Sequence, residues 1–306
     1  MSGAGRTIAK VAAGALALGA GCFAYGSLYE VDAYRLRRIS VPVLPRGAQP
    51  IRLLHVADLH LTPKNRVRRN WVSLLAGLDP DLVINTGDNL AHPDAVPSVI
   101  DALGRLLDRP GVYVWGSNDY YAPTFKNPLA YLTQPDRQGQ PRPEELPWRD
   151  LGRAFLDAGW IDLTGERVTL EVNGIRLGFR GTDDAHLRRD QYVLVAGSVD
   201  RTETDVAIGV THAPYRRILD PMVADGMDLI VAGHTHGGQV CVPFYGALVT
   251  NCDLNTRQVK GLSQHSAGGK TSYLHVSAGL GTSPYAPFRF ACRPEATLMT
   301  LVPAQS

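Results

Sequence analysis

Short apolar runs and helical periodicity alternate along the first half of the chain. Continuous apolar runs of strand length predict β-strands at residues 51–57, Leu82–Asn85 and 111–115. Between these runs, apolar residues recur at helical spacing and predict helices over residues 66–78 and 97–107. This order of strands and helices is typical of a parallel βαβαβ unit with buried strands. The pattern therefore predicts an α/β fold.

Strand-length apolar runs recur in the second half of the chain. They predict strands at residues 206–210, Leu229–Ala232, 273–277 and 296–301. Apolar residues at helical spacing predict a helix over residues 148–158. Asn173-Gly174 predicts the turn of a hairpin over residues 167–179, because this pair readily adopts positive φ. Residues 120–150 are rich in turn formers and predict a long surface loop over the functional site.

The N-terminal region has the pattern of a membrane segment. Residues 11–29 carry no charge and are rich in Ala, Gly and Leu, and Arg6 and Lys10 precede them. A run of about 19 such residues is just long enough to cross a bilayer as a helix. A signal peptide has the same signature. Between the two, we expect an uncleaved, single-pass membrane anchor over residues 1–30.

Two arguments disagree on the side of the membrane that holds the rest of the chain. Arg35, Arg37 and Arg38 follow the apolar run and outnumber the basic residues before it. By the positive-inside rule this places the main domain in the cytoplasm. A signal-like start would place it outside, so the sequence leaves both orientations open.

Length and composition predict one large globular domain after the anchor. The chain has 306 residues, of which 44% are hydrophobic, and this is enough for a full-sized core. Residues 31–50 contain several prolines and predict a linker, so the globular domain is expected over residues 51–303. The formal net charge is only +2 and no dense block of Lys or Arg occurs, so no specific nucleic-acid partner is predicted.

Cysteine spacing excludes two common site types. Cys22, Cys241, Cys252 and Cys292 form no CxxC pair, so neither a zinc ribbon nor a thioredoxin-type motif is present. A disulfide between Cys241 and Cys252 is an alternative for an exported protein, but isolated thiols are the preferred interpretation.

Polar residues with metal-binding side chains follow the predicted strands in both halves of the chain. These residues are Asp58, His60, Asp88, Asn118, His212, His234 and His236. The carboxyl ends of parallel strands meet at one edge of a sheet, and we expect these side chains to gather there. Period-two alternation along an extended backbone would place Asp58 and His60 on the same side, and likewise His234 and His236.

This set contains carboxylate and amide oxygens and imidazole nitrogens, with no thiolate. Such a set is typical of hydrolytic divalent-metal centres. A carboxylate such as that of Asp88 can bridge two cations. Two cations about 3.5–4 Å apart could polarise a phosphoryl oxygen and hold a hydroxide for in-line attack at neutral pH.

Taken together and in order, the motifs resemble those of the calcineurin-like metallophosphoesterases. The family pattern is DxH, GDxx, GNH(D/E), a lone His and GHxH. Its counterparts here are Asp58-x-His60, Gly87-Asp88-Asn89, Asn118, His212 and Gly233-His234-x-His236. The resemblance covers about residues 50–303, which would be a metallophosphoesterase domain, and the ordered set of motifs is specific.

The resemblance implies a fold, a cofactor and a ligand set. The fold is α/β, with two facing mixed β-sheets flanked by helices. The cofactor is a pair of divalent metal ions, with Mn, Fe or Zn all compatible with the ligands. One metal would be held by Asp58, His60, Asp88 and His236, and the other by Asp88, Asn118, His212 and His234. The anchor-like start, Gly279-Leu280-Gly281-Thr282 and Arg289-Phe290 look like the bacterial membrane- or wall-associated subgroup.

One motif departs from the family pattern. Where the family has Gly-Asn-His, this chain has Gly116-Ser117-Asn118-Asp119. A strict alignment makes Ser117 the ligand, whereas a shift by one keeps Asn118 as ligand, and an amide oxygen is the better donor. Either way, the histidine that would protonate the leaving group is absent. Asp119 with a raised pKa, or a metal-bound water, is the expected substitute, so Asp88, Asn118 and Asp119 are the predicted catalytic residues.

The expected function is hydrolysis of a phosphomonoester or phosphodiester by a metal-activated hydroxide. The substrate would be a phosphate ester, and the membrane segment favours a lipid-linked or envelope-derived one. A pyrophosphohydrolase acting on a nucleotide-linked lipid is the first alternative. A metal-binding scaffold whose catalysis lapsed with the missing histidine is the second.

Overall fold

The computed structural model describes residues 3–124 and 143–304. Within these ranges the chain forms two six-stranded mixed sheets and a two-stranded hairpin. The sheets face each other across one apolar core, and helices cover their outer faces. The predicted α/β fold with two facing mixed sheets is therefore confirmed. The loop predicted over residues 120–150 lies mainly outside the described residues.

The first sheet is built around the predicted βαβαβ unit. Its strand order is β1-β14-β2-β3-β4-β5. The strands are β1 (Arg35–Leu44), β2 (Ile51–Val56), β3 (Leu82–Asn85), β4 (Gly111–Tyr113), β5 (Ile161–Asp162) and β14 (Glu295–Pro303). Strands β2 to β5 are parallel, β14 runs antiparallel to β2, and β1 is parallel to β14.

The second sheet has the order β12-β13-β9-β8-β7-β6. Its strands are β6 (Arg167–Val172), β7 (Ile175–Gly181), β8 (Val206–Thr211), β9 (Leu229–Ala232), β12 (Gly261–Ala267) and β13 (Lys270–Val276). Strands β7, β8, β9 and β13 are parallel, and the outer pairs are antiparallel hairpins. The predicted turn at Asn173-Gly174 joins β6 to β7, with φ of 52° and 78°.

Six α-helices accompany the sheets in the described residues. They are α1 (Gly3–Leu28), α2 (Arg66–Ser73), α3 (Val96–Leu103), α4 (Ser117–Tyr120), α5 (Trp148–Asp157) and α6 (Arg216–Asp225). Helices α2 and α3 each continue as a 3₁₀ turn, to Leu78 and Asp108. The hairpin strands are β10 (Cys241–Val242) and β11 (Gly246–Ala247).

Apolar side chains form three layers. The central layer lies between the sheets and joins residues such as Leu53 of β2 and Val231 of β9. The second layer packs α2, α3 and α5 on the first sheet, and the third packs α6 on the second sheet. All the strands leading to the predicted ligands are buried, because they lie inside this sandwich.

The prediction of a linker over residues 31–50 is wrong for Arg35–Leu44, which form β1. This strand pairs with β14 over its full length. Three arginines and Pro42 made the segment look unlike a strand. An edge strand tolerates both, because one side needs no backbone donor and much of the strand faces solvent. The folded unit therefore begins before residue 51.

Helix α1 is the one helix among the described residues that is long and apolar enough to cross a membrane, over Lys10–Asp32. Most of its surface is exposed. Its C-terminal end contacts the globular part of the chain: Gly26 O accepts a hydrogen bond from Arg289 N, and Phe23 stacks on Phe288. All four cysteines are free thiols.

Candidate metal centre

The two sheets place all seven predicted side chains at one end of the sandwich. Each follows the carboxyl end of a parallel strand: β2, β3, β4, β8 or β9. The residues are Asp58, His60, Asp88, Asn118, His212, His234 and His236. Five of them are buried, and His236 is mostly buried, with 13% of its side chain exposed. These six residues are four histidines and two aspartates, all of them ionisable. Buried ionisable groups require partners or a cation.

One cluster consists of Asp58, His60 and His236, whose possible ligand atoms lie within 4.8 Å of one another. The Nε2 atoms of His60 and His236 are 3.2 Å apart. His236 Nε2 lies 3.8 Å from Asp58 Oδ1. Three donor atoms converging in this way could hold a metal ion.

A second cluster consists of Asp58, Asp88 and His212, again with ligand atoms within 4.8 Å. His234 joins this cluster, because its Nδ1 lies 3.2 Å from His212 Nε2. The other ring nitrogen of His234 is buried and has no hydrogen-bond partner within the described chain. Imidazole nitrogens facing each other without intervening acceptors fit a cation better than they fit a hydrogen-bonded core.

Asp58 is a member of both clusters, and the carboxylate of Asp88 in the second cluster also faces His60 of the first. The Oδ2 of Asp88 is 3.4 Å from His60 Nε2, and its Oδ1 is 3.5 Å from His212 Nε2. Asn118 contacts the same carboxylate twice, through its backbone N (2.7 Å to Oδ1) and its amide Nδ2 (2.8 Å to Oδ2). Asp88 therefore links the two groups of imidazoles.

Left-handed backbone conformations place these side chains. Five of the seven predicted ligands have positive φ: Asp58 52°, His60 41°, Asp88 56°, His234 70° and His236 49°. Side-chain alternation along an extended strand is therefore the wrong explanation for Asp58/His60 and His234/His236. A non-glycine residue in this region is strained, and such strain collects at functional sites held by their surroundings.

Two glycines let the backbone approach the carboxylates. A Cβ on Gly116 would lie 2.3 Å from Asp88 Oδ1. A Cβ on Gly279, where φ is +68°, would lie 2.7 Å from the Cβ of Asp58. Neither contact is sterically acceptable, so these positions need glycine for the loops to close around the site.

Backbone carbonyls orient two of the imidazoles. His212 Nδ1 lies 2.7 Å from Thr86 O, and His236 Nδ1 lies 3.1 Å from Gly281 O. Each carbonyl accepts a hydrogen bond from an Nδ1–H group, which fixes the orientation of the ring and turns Nε2 toward the clusters. This is the orientation that metal-binding histidines usually have.

Burial and the central carboxylate set the protonation of the imidazoles. Burial lowers the pKa of His60 to about 4, and lowers the pKa of His234 and of His236 well below its usual value. For His212, burial also lowers the pKa, but the charge of Asp88 outweighs it and raises the pKa well above its usual value. These directions favour the protonated form of His212 and the neutral forms of the other three imidazoles when no metal is bound.

Metal binding is therefore expected to release a proton at neutral pH. A metal ion bound at His212 Nε2 takes the place of the proton there, whereas neutral His60 has none to lose. Affinity should rise with pH up to the raised pKa of His212. Calorimetric titration with Mn²⁺ in buffers of different ionisation enthalpy measures the number of protons released. A buffer-independent enthalpy would contradict the charge assignment.

The family profile for calcineurin-like phosphoesterases matches residues 51–238, which include all seven side chains. The chain belongs to the calcineurin-like phosphoesterase family. This family membership agrees with the order of motifs in the sequence and with the geometry of the site.

Relatives of this chain include proteins of bacteria and vertebrates. The uncharacterized protein YpbG of Bacillus subtilis is 27% identical over 84% of this chain and 83% of its own length. The phosphodiesterase YaeI of Escherichia coli is 25% identical over 92% of this chain and 93% of its own. A transmembrane protein with metallophosphoesterase domain from Bos taurus is 27% identical over 90% of this chain and 59% of its own.

Asp119 lies beside Asp88 and is surrounded by backbone hydrogen-bond donors. Its side chain is fully buried. Its Oδ2 accepts hydrogen bonds from the backbone N–H groups of Asp88 (2.7 Å) and Gly116 (2.9 Å), and Oδ1 accepts one from Asn89 (2.8 Å). A carboxylate that is occupied by backbone donors holds loops together. Burial raises the pKa of Asp119 to about 6, as expected from the sequence for an acid. Proton transfer by Asp119 stays a prediction, and its three backbone donors favour a role in positioning Asp88.

The substitution Asp119→Asn tests this positioning role. It places an amide NH₂ against backbone N–H groups, and we expect it to lower the free energy of unfolding by about 1–2 kcal/mol. The pH dependence of kcat should keep its shape, because a residue that only positions Asp88 transfers no proton. Urea denaturation and a pH–rate profile measure both. Loss of one limb of the profile at unchanged stability would support the proton-donor hypothesis.

Two buried arginines near the metal-centre residues were not predicted as site residues. Arg289 is fully buried and donates hydrogen bonds to the carbonyls of Ala278, Gly279, Gly281 and Cys292. Arg68 donates to the carbonyls of Leu59 and His60. The pair Arg289-Phe290 stands out in the sequence, but nothing in it indicates which carbonyls the side chain reaches.

Proposed function

We propose that this protein is a dinuclear metal-dependent phosphoesterase that hydrolyses a phosphomonoester or phosphodiester. The observation that carries the proposal is the position of Asp88. One of its oxygens faces His60 and the other faces His212, at 3.4 and 3.5 Å. A carboxylate placed in this way is suited to bridging two cations, and family membership supports a phosphate ester as substrate.

The proposed ligands divide between two ions. Asp58, His60 and His236 with Asp88 would hold one, and Asn118, His212 and His234 with Asp88 would hold the other. The donor chemistry fits hard or borderline divalent ions, so Mn, Fe and Zn all remain candidates. A half-turn of the Asn118 amide about χ2 would present its oxygen, in place of Nδ2, to an ion beside Asp88.

When bound, the divalent ions supply Lewis-acid polarisation of the phosphoryl group and acidify a water molecule. The side chains of the protein supply the ligands and hold them in place. Asp88, whose pKa its histidine neighbours lower well below the usual value, is an anion at neutral pH. His60, His234 and His236 remain neutral donors, and Asp119 fixes the loop that carries Asp88.

The absence of the family histidine limits the leaving groups that a good substrate can have. In this proposal no side chain protonates the leaving group, so esters with acidic leaving groups are hydrolysed fastest. An alcohol with a low pKa departs as an anion without needing that proton. The relative YaeI of Escherichia coli, a phosphodiesterase, supports a diester.

We also propose that α1 anchors the enzyme in a membrane and is not removed. The junction after α1 is packed into the domain: the carboxylate of Glu30 is buried and accepts hydrogen bonds from Ala291 N (2.9 Å) and Cys292 N (2.7 Å). Relatives named as transmembrane proteins support an anchor.

A panel of substrates tests the proposed reaction. The full-length protein, loaded with Mn²⁺, Fe²⁺ or Zn²⁺, is assayed on a diester, a monoester and a pyrophosphate of the same leaving group. We expect hydrolysis of the diester or monoester, loss of activity on chelation, and recovery when metal is restored. Cleavage of the pyrophosphate alone would favour the pyrophosphohydrolase. Tight metal binding without any turnover would identify a scaffold.

A further inference from the structure

An apolar hairpin projects beside the metal centre. We define the apolar hairpin as residues 240–249, which include β10 and β11. At its tip, Phe244 is fully exposed and Tyr245 is 74% exposed. Its second arm exposes Leu248 and Val249 by 61% and 71%, and its first arm also exposes Val240 and Val242. A contiguous apolar patch of this kind on a protein surface marks a binding surface.

The apolar hairpin and a neighbouring segment of the chain contain no charged residues. No Asp, Glu, Lys or Arg occurs between His236 and Asp253, or between Val276 and Arg289. These two segments are neighbours, because Val240 and Phe290 form a β-bridge and Cys241 N donates to Phe290 O at 2.8 Å. A surface that meets water or an acidic or basic partner would carry charges here, whereas a lipid surface disfavours them.

The apolar hairpin is connected to α1 through two phenylalanines that contact the helix. The ring of Phe290, which bridges to the hairpin, packs edge-on against Tyr25 of α1 at 6.2 Å. The adjacent ring of Phe288 stacks on Phe23 of α1 at 5.6 Å. Tyr25 and Tyr29 lie at the end of α1, where aromatic residues commonly meet the headgroups of a bilayer.

We propose that the apolar hairpin inserts its tip into the surface of the same bilayer that α1 spans. This inference rests on the proposed membrane anchor and deepens the proposed function. The occupant of the patch is lipid. Exposed aromatic and aliphatic side chains at the level of the headgroups bind lipid by burying apolar area, and a helix already in the membrane makes that contact intramolecular.

Both arms of the hairpin lead directly to metal-centre residues. The first arm begins four residues after His236. Beyond the second arm, the amide of Asn251 donates a hydrogen bond to His234 O at 3.1 Å. A bilayer that holds the hairpin therefore lies next to the metal centre. This geometry points to a phosphate ester in a lipid headgroup as the substrate class.

Fluorescence of the full-length protein in vesicles tests the contact directly. The variant Phe244→Trp is reconstituted into phosphatidylcholine with plain or brominated acyl chains, and the parent spectrum is subtracted. We expect bromine to quench the added tryptophan. Leu74→Trp is the matched control, because Leu74 is 73% exposed in the turn after α2, on the outer layer of the first sheet. The proposal would be overturned if bromine quenched both variants equally or quenched neither of them. A dimer that protects the tryptophan at position 244 would instead assign the patch to a second copy of the chain.

A pair of assays tests the functional consequence. The double variant Phe244→Asp/Tyr245→Asp should lose about tenfold in rate on a phosphate ester carried by vesicle lipid, because two rings leave the bilayer. Its rate on bis(p-nitrophenyl) phosphate in solution should be unchanged. An unchanged rate on vesicles would overturn the inference. If the parent enzyme hydrolyses neither ester, the proposed function fails, and the quenching result alone then decides the membrane contact.

Discussion

The substitution Asp88→Ala is expected to lower kcat/KM for phosphate esters by about a thousandfold or more, since metal ions supply several kcal/mol to phosphoryl transfer. One carboxylate oxygen of Asp88 lies 3.4 Å from His60 and the other lies 3.5 Å from His212, so Asp88 is a proposed ligand of both ions. Its removal takes a donor from each ion and also leaves the contacts of Asn118 without an acceptor. Metal content per chain, measured by plasma mass spectrometry, should fall in parallel with the rate.

A matched control separates this effect from general damage. Asp94→Ala removes a carboxylate six residues away whose side chain is 82% exposed. That variant should retain parental activity and metal content. Asp88→Ala should keep the parental circular-dichroism spectrum, because the sandwich core does not include this side chain. Full activity in a folded Asp88→Ala variant would refute the dinuclear proposal.

The substitution Arg289→Met is expected to lower the free energy of unfolding by about 3 kcal/mol, because several buried carbonyls lose a charged donor together. Removing the buried charge recovers some desolvation energy. We expect the loss of hydrogen bonds to four carbonyls to cost more free energy than this desolvation gain returns. Arg289 also lies 3.3 Å from His236 Nδ1 and holds Gly281 O, which orients the same ring. Metal affinity should therefore fall by about 10- to 100-fold.

Urea denaturation and metal titration of the full-length protein measure the two effects of Arg289→Met. Arg216→Met is the control, because the side chain of Arg216 is 59% exposed and lies far from these carbonyls in sequence, at the start of α6. Arg289→Lys keeps the charge but not the planar fork of donors, so it should restore only part of the stability. A parental metal affinity in a destabilised Arg289→Met variant would limit Arg289 to a purely structural role.

Hydrophobic periodicity was sufficient to predict the α/β class, the central strands and the ends at which ligands gather. It works there because strands buried on both faces read as uninterrupted apolar runs. It failed at β1, where arginines and a proline occupy an edge strand that pairs with residues about 260 positions later in the chain. Such a pairing leaves no local signal, since its partner is defined only by the folded sheet.

The ligand set was predictable from residue type and order, but its placement was not. Positive φ at Asp58, His60 and Asp88 depends on loops that pack across both sheets, and no window of sequence encodes it. The hydrogen bonds around Asp119 also have no signal in the sequence. Backbone donors at Asp88, Asn89 and Gly116 show that its carboxylate joins the loop after β3 to the loop after β4.

The position of β14 sets the order of assembly of the first sheet. This strand, near the end of the chain, lies between β1 and β2 rather than at an edge. During synthesis β1 and β2 emerge long before β14, which lies between them in the sheet. The edges of β1 and β2 that pair with β14 therefore stay open until β14 has been made, and stop codons placed before Glu295 should yield insoluble, protease-sensitive products.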